Sequence, residues 1–416
     1  MPQNNGADMA ERNFPKVKIT EKSERTVRLG HPWVYGEEVT EKTGECVNGQ
    51  LVDVYSKKDR FLGTGYYNDR SKILVRIISR NANDKFDDAF YRRRVGYALE
   101  YRRTVMGDDF SCCRLIFGEA DSFPGLTVDR FGDVLVTQVA CLGTELVKDV
   151  IYRALVDILA EMGEPVKAIY ERNEGSIREL EGMERYSGFY KLEGLSDKLS
   201  GETEIIENGI KYKVDYINGQ KTGFFLDQKY NRAAVARIAK GKRVLDCFTH
   251  TGAFALNAAK AGAELVNAVD ISEDAVNMAR ANAELNGLTG NMQFTCANVF
   301  ELLTEMGEKK KCDYDFIILD PPAFTKSSGT VKNAVRGYKE INRRAMSLLP
   351  RGGYLATCSC SHFMTDELFR KMLADAAKDA GVSLRQIEGR QQSPDHPILW
   401  NVRETDYLKF YIFQIV

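Results

Sequence analysis

The chain reads DYDFIILDPPAF at Asp313–Phe324 and, beyond a helical spacer, LLPRGGYLATCSCSH at Leu348–His362. The first stretch is an apolar run closed by Asp320-Pro321-Pro322. That is a buried strand with a stiff acidic tip, because proline fixes φ and has no N–H for a ladder. Gly352-Gly353 opens the second strand, which ends in Cys358-Ser359-Cys360-Ser361. Buried strands separated by a helix are the pattern of a parallel sheet. Open α/β sheets bind ligands outside the carboxyl ends of their strands. An acid at one tip and thiols at the next suit attack on a planar base.

Outward from this pair the same alternation continues. From about Lys221, strands are predicted at Arg243–Cys247, Leu265–Asp270, Met292–Cys296, Phe316–Leu319 and Tyr354–Cys358, with helices of roughly 10–20 residues between them. The last segment, YLKFYIFQIV, is expected to enter this doubly wound sheet antiparallel. Upstream, Val17–Arg80 is predicted all-β from the short runs VKIT, QLVDVYS, GTGYY and ILVRIIS. SRNANDK is a linker, and Asp88–Met106 a helix. Strands at Leu115–Phe117, Gly125–Asp129 and Val134–Ala140 precede an amphipathic helix. Its apolar face repeats through Leu146, Val147, Val150, Ile151, Ala154, Leu155, Ile158 and Leu159. Strands near Ala168–Glu171 and Tyr212–Asp215 would complete an α+β middle domain. The expected domains are a flexible leader at 1–15, a β domain at 16–80, the α+β domain at 88–215 and the α/β domain at 216–416.

Length and composition fit this plan. The 416 residues call for two to three domains. No apolar run approaches the roughly 18 residues of a membrane span, and the N-terminus has no secretory apolar core. The nine cysteines are scattered, without CxxC or zinc spacing. The expectation is reduced thiols, no metal site and a cytoplasmic protein. Net charge is −1, so overall charge does not advertise nucleic acid. Local clusters do: Lys16, Lys18, Lys22, Arg25 and Arg28 near the N-terminus, and Arg92, Arg93, Arg94, Arg102 and Arg103 on one helix. Such clusters either bind phosphates or are solvated faces.

A cofactor half-site is legible in RVLDCF, the turn Thr249-His250-Thr251-Gly252, the helix AFALNAAKAG and LVNAVD. A strand–turn–helix–strand with an acid, Asp270, at the second tip holds a nucleoside ribose. The turn lacks GxGxxG, so no pyrophosphate is expected. Asp246, at the first tip, suits a cationic amino group. S-adenosylmethionine has this profile of ribose, zwitterion and sulfonium. Thr249, Thr251, Gly252 and Ala253 form the turn around it. Ile271 is placed to cover the adenine, with Asn298 and Val299 beside it. Lys221 and Gln228 are candidates to close over the cofactor.

Taken together, these residues resemble the RlmI-like family of class I methyltransferases, which make 5-methylcytosine in large-subunit ribosomal RNA. The family's features appear in order: GHPWVY at Gly30–Tyr35, RLIFGEADSFPGLTVDRFGDVLVTQ at Arg114–Gln138, GQKTGFFLDQKYNR at Gly219–Arg232, DPPAF, GYKEIN at Gly337–Asn342, SCS at Ser359–Ser361, DHP at Asp395–Pro397 and YLK at Tyr407–Lys409. The resemblance implies an N-terminal PUA-like β-barrel that binds RNA, a central α+β domain and a Rossmann-like domain with a mostly parallel seven-stranded sheet. It implies a cysteine nucleophile attacking cytosine carbon-6. The CSxxM spacing selects Cys360, whereas ATCS selects Cys358, and Cys360 is preferred. If the strand runs that far, the two cysteines share one face. Asp320 stands where two-cysteine enzymes carry a thiol, and Asn298 where relatives often carry Asp. His362 and His396 are lesser acid/base candidates. Nitrogen methylation at the Asp-Pro-Pro tip and a non-catalytic RNA-binding assembly factor stay open as alternatives, as does a homodimer.

Overall fold

The computed structural model describes residues 12–309, 312–325 and 328–416. The expected leader at 1–15 therefore lies mostly outside the described residues. The chain folds as two compact units. One holds the residues up to Thr203 with Asp215–Gly223 and Pro394–Thr405; the other holds Glu204–Val214, Phe224–Ser393 and Asp406–Val416.

The first unit contains two sheets. The N-terminal one is six-stranded and mixed, in the order Trp33–Tyr35, Ile73–Ser79, Phe61–Tyr67, Leu51–Ser56, Lys16–Ile19, Val39–Thr43. Val17, Ile19, Val34, Val52, Val54 and Val75 are fully buried in its core. The strands approach so closely that a Cβ on Gly65 would lie 2.2 Å from the Arg76 carbonyl oxygen. The helix Glu21–Arg28 starts where the Thr20 hydroxyl accepts from the Ser23 amide at 3.2 Å.

The second sheet has five strands, in the order Tyr186–Phe189, Ala168–Asn173, Val134–Val139, Leu126–Phe131, Cys112–Phe117. The helices Asp88–Met106 and Leu142–Glu161 pack against each other beside it. In the second helix Ile151, Ala154, Leu155, Ile158 and Leu159 are buried as the apolar repeat requires, but Leu146 is 54% exposed. The first turn instead buries Gly143 and Thr144, so Leu146 falls off the inward face.

Two expectations for polar residues are corrected in this unit. Arg102, expected among the RNA-binding arginines, is wholly buried. Its guanidinium pairs with the Asp121 carboxylate, one contact being 2.7 Å, and donates to the carbonyls of Arg114 and Asp395, each at 2.9 Å. His396 is buried as well, with Nδ1 2.9 Å from Asp395 and its ring against Phe117. Asp395 also accepts from the Arg114 amide at 2.8 Å. The DHP motif and the RLIF segment are thus partners in one buried polar network. Other basic candidates are tied to acids: Lys18 to Glu41 and Asp59, Arg92 to Glu161, Arg93 to Asp84. Lys22, Arg25 and Arg28 face solvent on one short helix.

The second unit is built on a seven-stranded sheet, in the order Met292–Cys296, Leu265–Asp270, Arg243–Cys247, Phe316–Leu319, Tyr354–Ser359, Lys409–Ile415, Leu384–Arg390. The first five are parallel, and Lys409–Ile415 is antiparallel to both its neighbours. The antiparallel entry of the last segment is as expected. The edge strand LRQIEGR carries no apolar run and its residues are half-buried or exposed, which hides it from pattern reading. Ile210–Asp215, expected to help complete the middle domain, lies outside the five-stranded sheet. It pairs with Glu202–Glu207 in a separate two-stranded ribbon. The Lys213 and Lys211 amides bind the side chains of Asn282 and Asn286, each at 2.9 Å, and so hold that ribbon to the second unit.

Removing one partner of a buried ion pair leaves the other charge unmatched. Arg102→Ala is therefore expected to destabilise the first unit by about 3–5 kcal/mol, read as an earlier urea transition followed by near-ultraviolet circular dichroism. An unshifted transition would contradict the buried pairing.

Candidate active site

The strand order reverses at Arg243–Cys247, whose neighbours are Leu265–Asp270 and Phe316–Leu319. A crevice opens at such a switch point beyond the strand ends. The register sets Asp246 opposite Ala268 on one side and Ile318 on the other. The acids Asp246, Asp270 and Asp320 therefore converge on three adjacent tips.

Asp246 is fully buried. One carboxylate oxygen accepts from the Thr249 hydroxyl at 2.6 Å and the Ala255 amide at 3.0 Å. The other has no hydrogen-bond partner among the described residues. Burial, aided by repulsion from Asp320 and Asp270, pushes this carboxyl up to about 7. The turn above it is tight. Phe248 and His250 both adopt left-handed φ, 66° and 50°, which non-glycine residues rarely do. Gly252 has φ 79°, and a Cβ there would lie 2.8 Å from Leu256 and 2.9 Å from Ala279. Glycine is thus demanded twice, by conformation and by contact. Thr251 is buried, its carbonyl accepting from Asn282 at 3.0 Å, and Ala253 begins the helix Ala253–Lys260.

Asp270 is pinned by two backbone amides, His250 to one oxygen and Ser272 to the other, each at 3.0 Å. Each oxygen keeps a lone pair for a diol. The next residue, Ile271, is 69% exposed, an apolar side chain left standing at the edge of the crevice. Asn298 caps the helix Val299–Glu308, its side-chain oxygen accepting from the Phe300 amide at 3.0 Å. Its amide nitrogen is 3.3 Å from Glu301. Val299 is buried. Lys221 belongs to the first unit, while the other cofactor candidates belong to the second.

At the fourth and fifth strand tips the chain brings Asp320, Cys358 and Gln228 together. The Cys358 thiol donates to Asp320 at 2.9 Å, and the Gln228 amide donates to Asp320 at 3.3 Å and to the Cys358 sulfur at 3.4 Å. Asn231 fixes Gln228 from behind at 2.7 Å. Burial first, then the Asp320 charge, pushes the Cys358 thiol well up, so it stays protonated near neutrality.

The fifth strand stops at Ser359, so the condition for Cys358 and Cys360 to share a strand face is not met. Cys360 emerges past the sheet and is half-exposed. Beneath that bend lies Lys409, buried, with its ammonium donating to the carbonyls of Ser361 at 2.6 Å and Tyr407 at 2.8 Å. Burial pushes Lys409 down to about 8, and the acids Asp406 and Asp366 and the thiols Cys360 and Cys358 pull the other way. Lys409 was not among the sequence candidates. A lysine in the apolar run YLKFYIF was the available signal. His362 packs edge-on against Phe363, and His396 belongs to the first unit.

The family described as S-adenosylmethionine-dependent methyltransferase matches residues 163–413, and the PUA-like domain family matches residues 17–80. The chain is 39% identical over 397 residues to ribosomal RNA large subunit methyltransferase I of Aeromonas hydrophila, covering 94% of this chain and 97% of that one. It is 40% identical over 397 residues to the protein of that name from Shewanella amazonensis, covering 95% and 98%. The Klebsiella pneumoniae protein of that name is 36% identical over 413 residues, covering 98% and 100%. A solved Streptococcus mutans structure of the SAM-dependent methyltransferase type superposes with a TM-score of 0.80 at 23% identity, covering 96% of this chain and 99% of that one, which shows a shared fold.

The unmatched Asp246 oxygen, the Gly252 cradle and the pinned Asp270 fit S-adenosylmethionine. An ammonium must meet an ionised Asp246, so binding below about pH 7 releases a proton from that carboxyl. Calorimetry should show affinity rising from about pH 6 to about pH 7, with proton release near the lower end. Asp246→Asn should lose both the rise and roughly 1.5–3 kcal/mol of binding. A pH-independent affinity in the wild-type chain would contradict this role for Asp246.

Proposed function

The chain belongs to the ribosomal RNA large subunit methyltransferase I family of S-adenosylmethionine-dependent methyltransferases, and on that premise we propose that it methylates carbon-5 of a cytosine in large-subunit ribosomal RNA, with Cys360 as the nucleophile. When bound, S-adenosylmethionine supplies an electrophilic methyl group on a sulfonium. The observation that supports Cys360 is the contrast between the two thiols. Cys358 is sealed in the sheet and donates a hydrogen bond to Asp320, whereas Cys360 stands at the open end above the buried Lys409.

Carbon-5 of cytosine is a poor nucleophile. Addition of the Cys360 thiolate to carbon-6 breaks the 5,6 double bond and makes carbon-5 electron-rich enough to take a methyl group. Loss of the carbon-5 proton then restores the double bond and expels the thiolate. A lysine cation favours the thiolate, and Lys409 is held in place by two carbonyls. Asp320, oriented by Cys358 and Gln228, faces the exocyclic amine or ring nitrogen of the base and balances charge as carbon-6 is attacked. Asp246, the Thr249–Ala253 turn and Asp270 hold the cofactor, with Ile271 over its adenine and Asn298 and Val299 at the adenine edge. Gln228 serves this site by fixing Asp320. The second reading takes Cys358 as nucleophile with Asp320 as its base, favoured by their 2.9 Å contact.

The PUA-like domain, with Lys22, Arg25 and Arg28 exposed on one helix, supplies phosphate contacts to the RNA. No disulfide joins cysteines among the described residues, which suits a reducing cytoplasm. Among the described residues no helix is long and apolar enough to cross a membrane.

Cys360→Ala is expected to lose methyl transfer to unmodified ribosomal RNA by several orders of magnitude. Cys358→Ala should keep methyl transfer, slowed only modestly by looser positioning of Asp320, and lose about 1 kcal/mol of stability, as for a small buried side chain. Both are checked with labelled cofactor and by denaturant melts. Activity that follows Cys358 instead would transfer the nucleophile role. Two active variants would replace the covalent route with nitrogen methylation at the Asp320 tip.

A further inference from the structure

Trp400 is 98% exposed, the most exposed large apolar side chain among the described residues. Single exposed hydrophobic residues are ordinary, so exposure alone means little. Three further features set this one apart.

The first is rigidity. Trp400 sits in a short loop closed by its own hydrogen bonds. The Leu399 amide donates to the Thr405 hydroxyl at 2.9 Å, the Val402 amide to the Leu399 carbonyl at 2.9 Å, and the Thr405 amide to the Val402 carbonyl at 3.0 Å. Val402 is fully buried and anchors the loop. An indole held out on an ordered loop loses little freedom when something stacks on it.

The second is its neighbour. Asn401 donates to the Leu29 carbonyl at 2.9 Å, and a Cβ on Gly30 would lie 1.8 Å from the Asn401 amide nitrogen. His31 is 3.3 Å from Glu404. The Trp400 loop is therefore seated on the turn that follows the helix Glu21–Arg28. Leu29, on that turn, is 76% exposed.

The third is charge. Arg25 and Arg28 on that helix, Arg80 and Arg403 are all exposed around this turn and loop. Arg80 reaches the Gly30 carbonyl at 2.7 Å. Glu404 lies 3.3 Å from His31, and Glu24 lies 3.8 Å from Arg28, whose side chain is still 58% exposed. A rigid aromatic surface rimmed by arginines matches an unpaired nucleobase flanked by phosphates.

We propose that Trp400 is a stacking platform for an unpaired base of the substrate RNA, with Leu29 beside it and Arg25, Arg28, Arg80 and Arg403 taking the adjoining phosphates. This rests on the RNA-methyltransferase reading and extends it to a contact outside the methyl-transfer site.

The chain has two tryptophans, and Trp33 is half-buried with its indole N–H 3.1 Å from Glu119. A Trp33→Phe variant leaves Trp400 as the sole indole reporter. Titration with in vitro-transcribed large-subunit ribosomal RNA should quench its emission and shield it from acrylamide. In the otherwise wild-type chain, Trp400→Ala should weaken binding of that RNA roughly tenfold without changing the salt slope, and Trp400→Phe should restore most of it. Arg25→Ala should instead lower the salt slope. Unmoved emission with unchanged affinity in Trp400→Ala would overturn the proposal while leaving the methyltransferase reading intact. A change of oligomeric state in Trp400→Ala, seen by sedimentation, would overturn it in favour of a contact between chains. A wild-type chain that neither binds nor methylates the RNA would overturn both.

Discussion

A carboxylate buried at the end of the first strand, with one oxygen unmatched, is the constraint on which the rest of the methyl-transfer site depends. Burying an ionised carboxylate without a partner is costly. The protein tolerates Asp246 by giving one oxygen two donors and by raising its pKa to about 7. The left-handed turn at Phe248 and His250 exists to bring those donors round, and Gly252 lets the following helix come close enough to close it. Asp270 and Asp320 add negative charge on either side. A ligand carrying an ammonium and a sulfonium would balance these acids. Membership of the S-adenosylmethionine-dependent methyltransferase family identifies that ligand.

The same tension between burial and charge separates the two cysteines. Within the sheet, Cys358 meets Asp320 and Gln228, and low dielectric keeps its proton on. Two residues further, the chain has left the ladder, and Cys360 stands near a lysine clamped by two carbonyls. A displacement of two residues along one strand thus changes a structural thiol into a candidate nucleophile. On this account Cys358 has a use of its own, since it helps to hold Asp320 toward the base.

Much of the second unit was legible because a buried parallel strand is a short apolar run with turn residues at each end. Four of its parallel strands begin and end where the sequence puts them, and the fifth runs one residue longer, to Ser359. Leu384–Arg390 was invisible because an edge strand in contact with water need not be apolar. Tyr212–Asp215 was recognisable as a strand, but nothing local in a sequence names a strand's partner. Arg102 lies on the buried face of its helix, which a count of its arginines does not reveal. Val95, Leu99, Arg102 and Met106 form one stripe at helical spacing and all are buried, while Arg92, Arg93 and Arg103 are not. Lys409 escaped for the opposite reason, since its neighbours are so apolar that the segment reads only as core.

The site of methylation on the base separates carbon-5 chemistry from nitrogen chemistry. Only carbon-5 methylation must expel the hydrogen carried by cytosine carbon-5, whereas methylation of a ring or exocyclic nitrogen leaves it in place. The direct measurement is tritium release from ribosomal RNA transcribed with cytidine tritiated at carbon-5, followed alongside methyl incorporation. Carbon-5 methylation should release one tritium to water for each methyl transferred. Methyl incorporation with no release of tritium would contradict it.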